Sequence, residues 1–216
     1  MADAQCKPWP GSRLLAAVMA FERGESPDRR WTAVLALLDP ATWNVRHSQR
    51  FEIEEDAINQ VGPGSFRLDT APYALGPGVR ALGLRYDNFG PGPSAADGSQ
   101  SNELILFVPE GRHMRPVLGT AMDRARALTG CLRSCPDAIV EWASFKLAIG
   151  PRGPSGWNDL HLIATVQRDG PEGDKTIDRK PQRHRLVYRY EGRQYKPLSP
   201  ALDWDDGCCT VGWPPR

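Results

Sequence analysis

The sequence predicts a mainly β protein, an antiparallel β-sandwich of about eight to ten strands with little helix. Its 20 prolines and 21 glycines are spread along 216 residues instead of pooled in one tract, and frequent helix-stopping residues between short apolar runs favour strands and turns. Several runs alternate apolar and polar residues with the period of two of a half-buried strand. Turns recur at the spacing of a sandwich or barrel, and no break in composition is deep enough for a linker. Residues 1–216 therefore read as a single β-rich domain.

Residues 1–12 form an extended lead-in, and residues 197–216 a C-terminal tail. "RLLAAVMAFERG" and "RRWTAVLALLDP" fit either a short helix or a buried strand, since their residues are good helix formers and periodicity does not separate the two. In "TWNVRHSQRFEIEE" the residues Trp43, Val45, His47, Phe51 and Ile53 share the odd face of a strand. "SFRLDTAPYALGPGVRALGLRY" gives two strands around the "LGPG" turn, with Leu82, Leu84 and Tyr86 on one face. "ELILFV" is apolar on both faces and reads as a central strand. "EGRHMRPVLG" is a turn and then a strand, and "DRARAL" after it suggests a helical turn. Alternation returns through Ile139, Ala143, Phe145, Leu147 and Ile149, then through Leu160, Leu162, Ala164 and Val166. After a charged, exposed loop at 168–182, His184, Leu186, Tyr188 and Tyr190 line one side of a strand that turns at Glu191-Gly192.

Charge excludes one large class of partner. With 27 basic against 26 acidic residues the net charge is +1, which carries no electrostatic footprint of a nucleic-acid binder. The longest apolar run, from Leu14 to Phe21, falls short of the roughly 18 residues of a membrane span. The cysteines are Cys6, Cys131, Cys135, Cys208 and Cys209. They lack the second Cys/His pair of a structural zinc site, and a central pair with cysteines near both termini suggests the stapling of an exported protein. Residues 1–5 show no charged region followed by an apolar one, which conflicts with export unless a signal peptide has been removed; the expectation is a periplasmic or secreted protein, with a cytosolic protein of reduced thiols as the alternative.

Catalytic signatures are missing. There is no G-x-S-x-G elbow, and "GPGPSAADG" lacks the Lys-Ser/Thr of a phosphate loop. The runs Asp205-Asp206 and Glu54-Glu55-Asp56 place neighbouring carboxylates on opposite faces of a strand. Asp87, Asn88, Asp97 and Asn102 offer hard oxygen ligands of the kind calcium takes, without the spacing of an EF-hand; turn-forming Asn and Asp is the default, and no cofactor is expected.

Recognition is the reading left. Residues 87–102 exceed the length of an ordinary hairpin loop, with Asp87, Asn88 and Phe89 at the base and Ser94, Asp97, Ser99, Gln100, Ser101 and Asn102 supplying adaptable hydrogen bonds. A second candidate contact is Trp157 with Asn158 and Asp159 at a strand entrance.

"FRLDTAPYALGPGVRALGLRYDN", the Ser-rich segment, "NELILFVPEGRHMRPVL", "GWNDLHLIATV" and "RHRLVYRYEGRQY" together resemble secreted and periplasmic bacterial proteins related to the i-type lysozyme inhibitors, including immunity proteins against peptidoglycan-degrading effectors. The resemblance spans residues 42–195 and leaves the part before Thr42 unaccounted for. It implies a β-rich, non-catalytic protein that inserts a Ser/Gly/Tyr-bearing loop into a hydrolase cleft; the matching residues here, 87–102, hold no tyrosine between Asp87 and Asn102. The expected function is inhibition of a cell-wall hydrolase. Two rivals stand beside it. One is a carbohydrate-binding or envelope-structural module with Trp31, Trp43 or Trp157 as a stacking platform. The other is an enzyme whose site is assembled from distant residues such as Asp69, Asp159 and His161.

Overall fold

The computed structural model describes residues 3–22, 30–55, 59–88, 96–173 and 177–198, and over these residues the chain is all β, with no helix. Fourteen strands are described, twelve in one large sheet and two in a small one. The count exceeds the expected eight to ten because several strands are too short or too irregular to show an alternation. Residues 199–216, with Cys208, Cys209 and nearly all of the expected tail, lie outside the described residues.

The N-terminal third is an antiparallel meander of β1 (Asp3–Pro8), β2 (Leu15–Glu22), β3 (Arg30–Leu38) and β4 (Val45–Glu54). The expected lead-in is thus largely a strand, and both segments left between helix and strand are strands. In β3, Trp31, Ala33, Leu35 and Leu37 face one core while Thr32 and Ala36 are buried on the other face, which explains why no clean period of two was visible. In β4 the expected odd face holds only in its second half. Phe51 and Ile53 are buried, but a register shift opposite Leu37 and Leu38 breaks the alternation, leaving Val45 exposed and Trp43 in the preceding turn at φ 58°.

The rest of the large sheet is built on β9 (Gly98–Glu110) and β10 (His113–Thr129), which pair along most of their length. On the far side of β9 lie β8 (Leu82–Tyr86) and then β5 (Phe66–Asp69); between these two in sequence, β6 (Ala74–Gly76) and β7 (Val79–Arg80) form the small sheet around the expected "LGPG" turn. The other edge of β10 continues antiparallel through β11 (Ile139–Arg152), β12 (Asn158–Asp169), β13 (Gln182–Glu191) and β14 (Gln194–Pro197). The helical turn expected at 123–128 is absent: these residues are strand, held by β9 on one edge and β11 on the other, and pairing on both sides overrides local helix propensity. The sheet is mixed, not wholly antiparallel, because β4 meets β10 in parallel at Ser48 and His113.

The sheet curls around two cores. In the first, Val18, Leu35, Phe51 and Leu84 meet Ile105 and Phe107 of β9; in the second, Leu104, Leu106 and Val108 of the same strand meet Phe145, Leu162, Leu186 and Tyr188, with Tyr73, Leu75 and Ala81 closing over them. The expectation of a central strand apolar on both faces is met by "ELILFV", since every residue from Leu104 to Leu106 is fully buried. The first curl closes where β1 reaches β5 with side chains: Asp3 and Gln5 accept the backbone N–H groups of Phe66 and Leu68, and the Lys7 ammonium donates to the Leu68 carbonyl. The second closes where Arg115 of β10 donates to the Tyr190 hydroxyl and the Arg193 carbonyl, and Arg193 pairs with Glu110.

Because the two cores share one strand, they should unfold together. Leu106→Ala and Phe107→Ala, which open cavities in different cores, should each cost roughly 2–5 kcal/mol and shift the same transition. Urea unfolding followed by fluorescence and far-UV circular dichroism checks this; two separated transitions would contradict the shared-wall picture.

Candidate functional site

The segment expected to be a loop over 87–102 is shorter than the sequence suggested. Gly98 to Asn102 belong to β9, with Ser99, Gln100 and Ser101 in register with Ala125, Arg124 and Asp123. Their polarity alone suggests a loop, yet polar residues are also what a strand carries where neither face is covered. Phe89 and Ser94 lie outside the described residues. Asp87 and Asn88 at one end and Asp97 at the other are described, and all three are tied down. The Asp87 N–H donates to the Ser65 carbonyl, Asn88 Oδ1 accepts the Gln60 N–H at 2.8 Å, and the Asp97 carbonyl accepts the Ala127 N–H.

The hub of this base is Asn102. Its backbone lies in the left-handed region at φ 52°, a conformation that Asn tolerates better than most residues. Its N–H donates to Asp87 Oδ1 at 2.8 Å, Arg85 and Arg67 both donate to its Oδ1, and its Nδ2 donates to Asp123 Oδ2 at 2.8 Å. Arg67 also pairs with Asp87 at 2.6 Å. Two of the four side chains that looked suited to calcium, Asp87 and Asn102, are therefore engaged by guanidinium groups, which oppose a cation there. Among the described residues no three His, Cys, Asp or Glu side chains cluster as a metal site would require.

Behind the hub, Arg85 donates to Asp69 Oδ2 at 2.8 Å, and Asp69 also accepts from the Tyr73 hydroxyl and the Ala71 N–H. Burial opposes the charge on Asp69, but the Ala71 N–H, the Arg85 guanidinium and the Tyr73 hydroxyl outweigh it and hold the carboxyl below its usual range. Burial, reinforced by the Asp69 charge, pushes the Tyr73 hydroxyl well above its ordinary value, so it remains a donor. This close pairing of β5 with β8 requires glycine at 83, because a Cβ there would lie 2.8 Å from that of Asp69.

Beyond the hub the sheet presents an uncovered face. One cross-strand row runs Ser99, Ala125, Trp142, Gln167, and the next runs Ser101, Asp123, Ser144, Thr165, Arg183. Trp142 is 49% exposed while Ala125 beside it is 4% exposed, so the small residue forms a floor between the indole and the Ser99 strand. The result is an open cleft of about 200 Å³ bounded by Ser99, Ser101, Asp123, Trp142, Thr165 and Gln167. Ser99 and Ser101 were expected contacts; Trp142 was not. The alternation that puts Ala143 and Phe145 in the core already assigns Trp142, Ser144 and Lys146 to solvent, which was the available signal.

At the second expected contact each side chain has a partner within the protein. Trp157 stacks on Tyr190 with ring centroids 3.8 Å apart and is half-buried against the second core. Asn158 donates to the Ala74 carbonyl, and buried Asp159 takes both Nε and Nη2 of Arg189. Of the other tryptophans expected as platforms, Trp31 is buried and Trp43 is exposed in its turn. Of the residues considered for a dispersed active site, Asp69 lies on β5, engaged by Arg85 and Tyr73, whereas Asp159 and His161 lie on β12.

Cys131 and Cys135 form a disulfide, their Cα atoms 5.3 Å apart, in the connection from β10 to β11. The following Leu132 N–H donates to the Ala96 carbonyl, linking this connection to the returning end of the 87–102 segment. Cys6 is free and exposed. No helix among the described residues is long and apolar enough to cross a membrane. No family model, curated protein or solved structure matches the chain.

Two outcomes follow for the base. Asn102→Ala should destabilise by about 1–3 kcal/mol, from the lost network and the unfavourable φ together. Asn102→Gly should be milder, because it relieves the backbone while still losing the side chain; equal losses by urea titration would deny φ any part. Asp69 has a folded pKa below its unfolded value of about 3.9, so its contribution is present above about pH 4 and lost as pH falls through the folded value. Asp69→Asn should therefore lower stability at pH 7 and flatten the acid side of a stability profile measured from pH 2 to 7.

Proposed function

We propose that this is an exported, non-catalytic binding protein that inhibits a cell-wall hydrolase by occupying its cleft with the 87–102 segment. The observation that carries the reading is the base of that segment. Asp87 and Asn102 are joined to β5, β8 and β10 by a hydrogen-bond and ion-pair network centred on Asn102, while Asn88 separately accepts the Gln60 N–H and the Asp97 carbonyl accepts the Ala127 N–H of β10. A segment held at both ends by a rigid scaffold loses less conformational entropy on binding than a free one, the usual arrangement of a recognition loop. The Cys131–Cys135 disulfide, bonded through Leu132 to Ala96, stiffens the same base and favours an oxidising compartment, periplasmic or extracellular.

In this reading the scaffold is a sandwich in the broad sense, its layers supplied by the two sides of the curled sheet. Contact residues are divided between the strand end, at Ser99, Gln100, Ser101 and Asn102, and the part of the segment that includes Phe89 and Ser94. Trp157, Asn158 and Asp159 act from behind by holding the β11–β12 turn, since their side chains already have protein partners. The lysozyme-inhibitor resemblance supplies the class of partner, a peptidoglycan-cutting enzyme or effector.

The test is affinity capture from secreted and periplasmic fractions with the oxidised protein as bait, followed by a peptidoglycan-clearing assay on any hydrolase recovered. Stoichiometric inhibition should be lost when residues 90–95 are replaced by a Gly-Ser spacer of equal length, with the melting temperature nearly unchanged. Full inhibition by the spacer variant would remove the segment from the mechanism, and the absence of any hydrolase partner would remove the reading.

A further inference from the structure

We infer that the cleft beside Trp142 is a saccharide-binding site, and that the sugar it takes is acidic. The inference rests on the face of the sheet alone and does not depend on the hydrolase reading.

The cleft combines two kinds of group that sugars require together. An indole half open to solvent offers an apolar face to the C–H side of a pyranose, and Trp carries the largest such face of any side chain. Around it, Ser99, Ser101, Thr165 and Gln167 present hydroxyl and amide groups that donate and accept, and Asp123 presents a carboxylate. Such a set suits a ligand covered with hydroxyls better than an apolar ligand or a bare cation. The sheet makes the arrangement rigid, since each residue is fixed in a cross-strand row with neighbouring strands about 4.8 Å apart. Asp123 is further held by the Asn102 amide, at the end of the network running back through Arg85 to Asp69.

Charge on the same face selects among sugars. Thr165 is in register with Arg183, and in the next row Lys146, Ile163 and Arg185 are in register with one another. Lys146, Arg183 and Arg185 are exposed. Among the described residues none of the three has an ion-pair partner. The neighbouring basic residues Arg126 and Arg168 differ, being taken by Glu141 on the opposite face. Three uncompensated cations on this face, Arg183 and Arg185 on the β13 side of the Trp142 cleft and Lys146 further along β11, complement a saccharide that bears carboxylate or sulfate groups. The carboxylate of Asp123 sits on the β9 side, where a neutral hydroxyl-bearing ring would be bonded. A chain of at least two sugars therefore lies across the strands, with its neutral ring on Trp142 and its anionic group toward Arg183 and Arg185.

The experiment is a glycan array with the purified full-length protein. It includes chitooligosaccharides, hyaluronan and oligogalacturonate fragments, chondroitin sulfate oligomers and muramic-acid-bearing wall fragments, and the tightest hit is followed by calorimetry in low and moderate salt. At least one acidic oligosaccharide should bind and the neutral chitooligosaccharide should bind about tenfold or more weaker. Trp142→Ala should reduce affinity about tenfold or more, with partial recovery in Trp142→Phe, as expected for a stacking anchor. Arg183→Gln with Arg185→Gln should remove the preference for the acidic ligand and most of its salt dependence. Trp142 is half exposed, so its variants should keep the wild-type melting temperature within a few degrees. In the folded wild type, the indole N–H resonance that Trp142→Phe removes should shift on titration. Binding to no member of the array, binding unaffected by Trp142→Ala, or equal binding of neutral and acidic sugars would each overturn the proposal. Hydrolase inhibition is measured separately, so either result leaves the other reading standing or falling alone.

Discussion

Burial of β9 on both faces is the constraint on which the rest of the molecule depends. From Leu104 to Val108 every side chain is removed from water, with alternate residues entering different cores. A strand with two apolar faces needs two covers. The N-terminal meander with β5 and β8 supplies one, while β11 to β14 with the small β6–β7 sheet supplies the other. This explains why the chain leaves the large sheet after Asp69, makes the short β6–β7 hairpin over the second core, and returns as β8 to the first. The exposed cleft has the same origin: β8 ends opposite Glu103, whereas β9 began five residues earlier at Gly98. Ser99 and Ser101 stand where the strand extends past its cover.

Much of this was legible wherever one face of a strand is wet. The series Leu160, Leu162, Ala164, Val166 and the series Leu82, Leu84, Tyr86 lie in the core as their alternation required. The double-sided run at 103–108 announced its central position. The N-terminal strands were harder, because β3 is buried on both sides and β2 is rich in Ala, so period and propensity gave no decision. Asp123 to Leu128 looked helical in isolation; two paired edges, on β9 and on β11, decided otherwise. At the site, the polar end of β9 was taken for loop because composition distinguishes wet from dry better than it distinguishes strand from coil. The role of Asn102 had no local signal at all, since it depends on a positive φ and on partners at positions 67, 85, 87 and 123.

The same network joins stability to presentation. Asp69, Arg85, Asn102 and Asp123 form a line of charge-assisted hydrogen bonds from the closed end of the first core to the rim of the cleft, with Arg67 and Asp87 branching to the start of the 87–102 segment. Such bonds are stronger than neutral ones and fix direction as well as distance. The strain at Asn102 is held by partners on three strands, which is the condition under which an unfavourable backbone conformation persists.

The seam between β1 and β5 has a further consequence. The two strands do not exchange backbone hydrogen bonds; the backbone of β5 is instead occupied at Phe66 and Leu68 by Asp3, Gln5 and Lys7. Three ordinary polar side chains thereby mask a sheet border that would otherwise invite another chain to add a strand. The alternate spacing of these residues matches the alternate outward-facing groups of β5, so they act as a terminator for sheet growth. A chain that loses them exposes two unsatisfied strand borders, at which copies can exchange their first strand or pair edge to edge.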